Sequence, residues 1–316
     1  MHNPMKNYVV SRLLQLIPIL FGITFLTFGM MRFTADDAVD IMYEQSGGAS
    51  EEVKAAKRAE LGLDQPFLVQ YGDWLAGVAT CDMGRSYISG KPVFETFADK
   101  LPSTIWLMVI SISMTVLIAT PLGIIAAVKQ NSPIDYCIRI FTFIGNSLPN
   151  FFVGLLLIYF LALKLGLLPI MGSSGDWRSV VLPALTLTVA MGAKYTRQIR
   201  AVVLEELSKP YVMGARARGV SEYTILTKSV LRSALIMIIT LLALSMGSLL
   251  GGTAIVETIF MWDGVGKLAV DAILTRDYPL IQAYVVWMSI IYVVMNLLAD
   301  LAYHYLDPRV RYGGES

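Results

Sequence analysis

The sequence predicts an all-α polytopic membrane protein, with six transmembrane helices, a structured extracytoplasmic loop and a short helix on the cytoplasmic side. Three observations carry that prediction. Of the 316 residues, 55% are hydrophobic and only 16% charged, against about 25% charged in a soluble domain, which is too little charge to coat a water-facing surface. Uncharged runs recur at the length of about 20 residues that matches the hydrocarbon core of a bilayer. Lys and Arg sort to one side of those runs, as cytoplasmic loops require.

Five runs span without further argument: residues 13–31, 105–128, 140–163, 233–256 and 278–299. A shorter run, 179–193, spans if Arg178 and Lys194 extend their stems to the two interfaces. The first run follows Lys6 and Arg12, as a secretory signal would. It is too long for such a signal and no small-residue cleavage site follows, so it is expected to remain as an anchor.

With the N-terminus inside, 14 of the 25 Lys and Arg but only 7 of the 24 Asp and Glu face the cytoplasm. The balance is +7 inside (14 − 7) and −6 outside (11 − 17). Six spans then place both termini in the cytoplasm. Cys81 and Cys137 fall on opposite sides and cannot pair.

Three regions follow: residues 1–31 with the first span, an extracytoplasmic segment 32–102, and a core 103–316 with five spans and a cytoplasmic loop 196–230. In the outer segment Ser50 caps a helix over residues 51–61, acids open it, Lys and Arg follow, and Gly62 closes it. Phe67, Tyr71 and Trp74 then share a helix face that can lie on the bilayer or on the bundle.

The loop 196–230 reads as helix, turn, helix. A first helix over 197–207 breaks at 208–210, a short one runs over 211–218, Gly219 ends it and Ser221 restarts the chain. Positive charge alone would account for the composition of this loop, but not for an isolated, punctuated helix. The last outer loop, 257–277, carries Phe260, Trp262, Gly264 and Gly266, the composition of a re-entrant or surface-lying element.

Enzyme signatures are missing. The run from Gly84 to Pro92 has the wrong spacing for a phosphate-binding loop, and Pro92 stands where Ser or Thr should hold magnesium. No HExxH, CxxC or GxSxG occurs, and His2 and His304 lie near the termini, so no catalytic residue and no metal ligand is assigned. No Asp, Glu, Lys, Arg or His lies in the core of any predicted span, so the relays of ion-coupled pumps are absent and energy must come from elsewhere.

Two intramembrane features stand out. Asn146, Ser147, Pro149 and Asn150 place a proline-broken, polar turn near membrane depth, either a kink satisfied by neighbouring helices or the lining of a translocation path. Gly247 and Gly251, with Ala243 a turn earlier and Gly252 adjacent, set a small-residue face for close helix packing within or between chains.

The stretch YVMGARARG, followed by Ser221 and Glu222, resembles the ATPase-docking loop of the peptide and nickel branch of ATP-binding cassette importers. LGLDQP, QYGDWL, DMGRS, LPST, SLPNF, LPALTL, GGTAIVETIF, GVGKL and RDYP are similar in order along almost the whole chain. Against the broader importer pattern, Met213 replaces a Glu and Gly214 an Ala. The resemblance implies a permease, not an enzyme, whose Tyr211, Gly214, Ala215, Arg216, Ala217, Arg218, Gly219 and Glu222 couple it to ATPase subunits.

It further implies a second homologous permease, two ATPase subunits that hold ATP and magnesium, and an extracytoplasmic solute-binding protein. Lipid surrounds the chain, and no nucleic-acid partner is expected. The stretch MGSSGDW before the fourth span is closer to nickel permeases, so nickel, free or chelated, is the expected cargo, with a di- or oligopeptide as the alternative. Two readings from other classes compete. A passive channel would leave the punctuated helix without purpose, and an intramembrane hydrolase would need a nucleophile and base that the spans lack.

Overall fold

The computed structural model describes residues 4–33, 38–44, 47–171 and 176–306, and these are helical throughout apart from turns and one isolated bridge between Arg85 and Pro92. The chain divides into two compact units, residues 1–103 with 264–294, and residues 104–263 with 295–316.

The first unit begins with α1 (Pro4–Phe33), a 30-residue helix. Two short helices follow, α2 (Ala38–Glu44) and α3 (Glu51–Glu60). As the capping chemistry predicts, Ser50 Oγ accepts from the Val53 N–H, and Gly62 takes a left-handed φ of 65° just past the end. Asp40 of α2 pairs with Lys54 (2.9 Å) and Arg58 (3.1 Å) of α3.

The aromatic face of α4 (Phe67–Ala79) turns to the bundle. Tyr71 is buried, sits edge-on to Phe25 and Phe28 of α1, and shares a 2.9 Å hydrogen bond between its hydroxyl and that of Thr24. The loop 257–277 contains α12 (Val265–Leu274), a short helix that buries Val265, Ala269 and Ala272. After it, Asp277 is buried and accepts from Ser86 Oγ (2.5 Å) and the Tyr87 N–H (3.1 Å). The loop before α5 is thereby tied to the start of α13 (Tyr278–Leu306). Met83, Val93, Ala272, Leu280, Ile281 and Val286 form the apolar core around that tie.

The second unit holds most of α5 (Val93–Val128) and the helices α6 (Pro133–Ser147), α7 (Asn150–Leu157), α8 (Val181–Leu207) and α11 (Leu231–Ile259). Helices α6 and α8 run antiparallel. Asp135 at the start of α6 meets Arg200 near the end of α8, while a Cβ at Gly145 would touch Ala193 at 3.2 Å. Helix α5 comes close to α8 at Gly123, where a Cβ would sit 2.7 Å from Ile199 Cγ2 and 2.9 Å from the Thr196 carbonyl oxygen. Only glycine fits there. At the other end of the unit, Thr104 Oγ1 donates to buried Glu257 at 2.7 Å.

Two spans differ from the sequence expectation. The third is not one rod: α6 and the helix over residues 150–164 meet at a 107° bend. Proline is the reason, since Pro149 pushes Leu148 into an extended conformation (φ −84°, ψ 134°) and has no N–H to continue the helix. The fourth is longer than its apolar run, because α8 is 27 residues long and continues into the polar loop as far as Leu207. Among the described residues, two helices are long and apolar enough to cross a bilayer alone, in α5 and α13, and three if the bent pair counts as one.

Candidate functional site

The punctuated helix expected in the loop 196–230 is present as α9 (Pro210–Ala217). Its start is set by Pro210 at the first helical position, where the missing N–H costs nothing. At its end the Val220 N–H reaches the Ala215 carbonyl (3.2 Å) and the Gly219 N–H the Arg216 carbonyl (2.9 Å). Those two bonds, with Gly219 at φ 76°, form a Schellman cap. A Cβ at Gly219 would meet nothing within 4 Å. Glycine is required here by the left-handed stop and not by a close contact within this chain's described residues. Ser221 then caps α10 (Glu222–Thr224) through the Thr224 N–H.

One residue seats α9 on the bundle. Val212 is fully buried among Tyr195, Ile199 and Val203 of α8, Ile225 and Val230 of the following turn, and Ala234 and Ile238 of α11. Ala215 packs at the edge of that cluster. Tyr211 Oη donates to Glu206 Oε2 at 2.9 Å, and Lys209 pairs with the other oxygen of the same carboxylate. Burial and the adjacent Glu206 carboxylate raise the Tyr211 phenol above its ordinary range. Arg216 grips Glu222 with two bonds of 2.6 and 3.0 Å, which hold the Glu222 carboxyl below its usual range.

The outward face is left with Tyr211, Met213, Val220 and Tyr223 exposed beside Ala217, Arg218 and Gly219. Gly214 is half-buried, and a Cβ there would make ordinary contact with the Arg218 side chain. Glu206 is the residue that sequence reasoning missed. It belongs to α8, and only the helix break at Ser208 brings its carboxylate under Tyr211 and Lys209. The spacing of three between Glu206 and Lys209 was the available signal.

The other sequence-singled residues are spread through this unit. Asn146, Ser147 and Pro149 are exposed and Asn150 is half-buried at the bend, with Ser147 Oγ bonded back to the Phe143 carbonyl of its own helix at 2.8 Å. Gly251 is exposed, and a Cβ there would meet nothing within 4 Å, so the close packing expected of it is not made within this chain's described residues. The side-chain surroundings of Ala243, Gly247 and Gly252 lie outside the described residues.

The helical fold of this chain has a counterpart among solved transport proteins. Over 67% of this chain and 96% of the other, the fold matches the inward-facing MetNI methionine ABC transporter with a TM-score of 0.58 at 16% identity, a likeness of fold alone. Residues 119–312 match the family described as binding-protein-dependent transport system inner membrane component. Residues 5–108 match the N-terminal part of such membrane components.

The chain is 37% identical over 318 residues to the oligopeptide transport system permease protein AppB of Bacillus subtilis, across 98% of this chain and all of that one. The glutathione transport system permease protein GsiC of Escherichia coli is also 37% identical, over 308 residues and the same shares. This chain belongs to the family of inner membrane components of binding-protein-dependent transport systems. It is therefore a permease subunit of an ABC importer and not an ATPase. Hydrolysis of ATP falls to separate partners, and a binding protein is implied by the family's own description.

Proposed function

We propose that this chain forms, with a second related permease, the membrane path of an importer that carries short peptides, and that α9 is where an ATPase subunit docks. What supports the docking role is the seat of Val212: a rigid push on α9 passes directly into α8 and α11, which share its core. The exposed Tyr211, Met213, Val220 and Tyr223 supply an apolar contact face, and Arg216 is held by Glu222. Asn146, Ser147, Pro149 and Asn150 belong to this reading as path lining, and Ala243, Gly247, Gly251 and Gly252 as a face for the partner permease.

A peptide cargo replaces nickel, the cargo expected from the MGSSGDW stretch. Residues 172–175 of that stretch lie outside the described residues. Support for a peptide comes from the two relatives named for oligopeptide and glutathione transport, each aligned along nearly the whole chain. Six spans with both termini inside, two ATPase subunits holding ATP and magnesium, and the three-region division 1–31, 32–102 and 103–316 complete the reading.

The test is a complete complex in proteoliposomes with its binding protein. Binding protein loaded with a short peptide or glutathione should stimulate ATP hydrolysis and uptake, and stimulation by nickel salt alone would return the cargo to the metal. Gly219→Leu should insert normally yet lose that stimulation. Full stimulation and uptake in this variant would remove α9 from the mechanism.

A further inference from the structure

Beside the antiparallel pair α6 and α8 lies an open groove of about 460 Å³, lined by Tyr136, Arg139, Ile140, Phe143, Arg197 and Arg200. Its position follows from the sequence. Tyr136, Arg139, Ile140 and Phe143 recur at helical spacing on one face of α6, and Arg197 and Arg200 do so on α8. The first set sits where the polar loop gives way to the third apolar run, and the second lies just past the end of the fourth.

The charges in this groove are unequal. Arg200 gives both of its bonds, 2.8 and 2.7 Å, to the buried Asp135. Arg139 stacks its guanidinium over the Tyr136 ring at 5.5 Å, and Arg197 is exposed. Neither Arg139 nor Arg197 makes a side-chain ion pair among the described residues, although the Arg139 charge also acts on Asp135, one turn before it on α6. Next to these two cations, neither of them in an ion pair, Ile140 and Phe143 are 58% and 67% exposed, and the apolar surface continues along α6 through Phe141 and Ile144.

An occupant must be anionic at one end and apolar beyond it. An acidic protein segment would satisfy the arginines but leave Ile140 and Phe143 uncovered. An apolar helix of another chain would cover those two and leave the arginines without counter-charge. A phospholipid meets both demands, with its phosphodiester on the guanidinium groups and its acyl chains along the aliphatic face.

We propose that this groove is a binding site for the headgroup of an anionic phospholipid of the cytoplasmic leaflet, with Arg139 and Arg197 as its cationic grip. The leaflet rests on the orientation proposed above. Arg200 acts as a positioning residue, held by Asp135 so that α8 presents Arg197 at the bilayer surface. Arg197 lies on the same helix that leads into α9, so lipid bound here touches the element that α9 would drive.

The experiment is native mass spectrometry of the purified complete complex, titrated with phosphatidylglycerol, phosphatidylcholine or soluble glycerol phosphate. Phosphatidylglycerol should add to one site per copy of this chain, with neither phosphatidylcholine nor glycerol phosphate competing. The Arg139→Gln, Arg197→Gln double variant should bind it roughly 25-fold more weakly, at about fivefold per arginine. The double lysine variant should stay within about threefold of the parent, which separates loss of charge from misfolding.

Equal phosphatidylglycerol binding by the glutamine variant overturns the site. So does a photo-crosslinker at Tyr136 that captures a partner protein instead of lipid. Cys137, an exposed thiol on the same helix, reports orientation separately: an impermeant maleimide should spare it in intact spheroplasts. Labelling of Cys137 with the lipid adduct intact would overturn the leaflet and the orientation together, and leave lipid binding at the groove standing.

Discussion

Two arginine–carboxylate pairs with nearly the same geometry brace the polar end of the second unit, and they differ in burial. Asp135 and Arg200 make a two-bond pair with side chains 0% and 19% exposed. Glu222 and Arg216 make a two-bond pair with side chains 66% and 44% exposed. Water competes for every bond of the second pair and for little of the first. The buried pair therefore fixes how α6 and α8 lie together, whereas the exposed pair trims the edge of α9 and leaves it free to meet a partner.

The largest expected effect comes from stranding the buried cation. Asp135→Ala should destabilise the purified chain by about 3 kcal/mol, the low end for a broken buried pair because Arg200 retains some access to water. Thermal unfolding in detergent measures it, and a loss no larger than that of Glu222→Ala would erase the distinction between the two pairs.

Acid should remove the same contribution. The Arg200 guanidinium, with the Asn131 N–H, holds the Asp135 carboxyl below its ordinary value of 3.8. A carboxyl depressed in the folded state contributes fully above its unfolded pKa and loses that contribution as pH falls through the folded one. Stability measured from pH 7 to 5 should thus show no step from Asp135, and the gap between parent and Asp135→Asn should close only below about pH 3.8. A gap that closes near pH 6 would mean that the carboxyl is not held low.

A smaller effect is expected at the end of α9. Gly219→Leu places a side chain at φ 76°, a left-handed conformation that costs roughly 1–2 kcal/mol. Since the site is open, the strain should stay local: the melting midpoint should fall by less than for Asp135→Ala, with stimulated ATP hydrolysis lost.

Smallest of all is Glu222→Gln. Its midpoint should match the parent within measurement scatter at 0.15 M salt, and raising the salt should change neither. A clear loss would show that the exposed pair bears on stability after all.

The same contrast separates what could be read early from what could not. Pro210 and Gly219 bound α9 in the structure as they do in the sequence, Ser221 restarts the chain as the cap of α10, and Ser50 and Gly62 bound α3. The turn at Pro149 was legible as a break, but its 107° angle was not. Asp135 stands two residues after Pro133 with nothing near it in the chain that points to Arg200. The groove with Arg139 and Arg197 was equally hidden, because its walls come from two helices whose register is set by packing.

By itself the sequence determined the all-helical membrane class, the polar breaks and the ends of the short helices. Span length, proline geometry and left-handed caps are decided within a few residues, where composition and spacing suffice. Only the tertiary structure decided which charges meet. Asp135 and Arg200 are 65 positions apart, Thr104 and Glu257 are 153 apart, and Ser86 and Asp277 are 191 apart. Pairing over such distances depends on how the helices pack, and that packing is set by contacts such as Gly123 on Ile199, which no local pattern encodes.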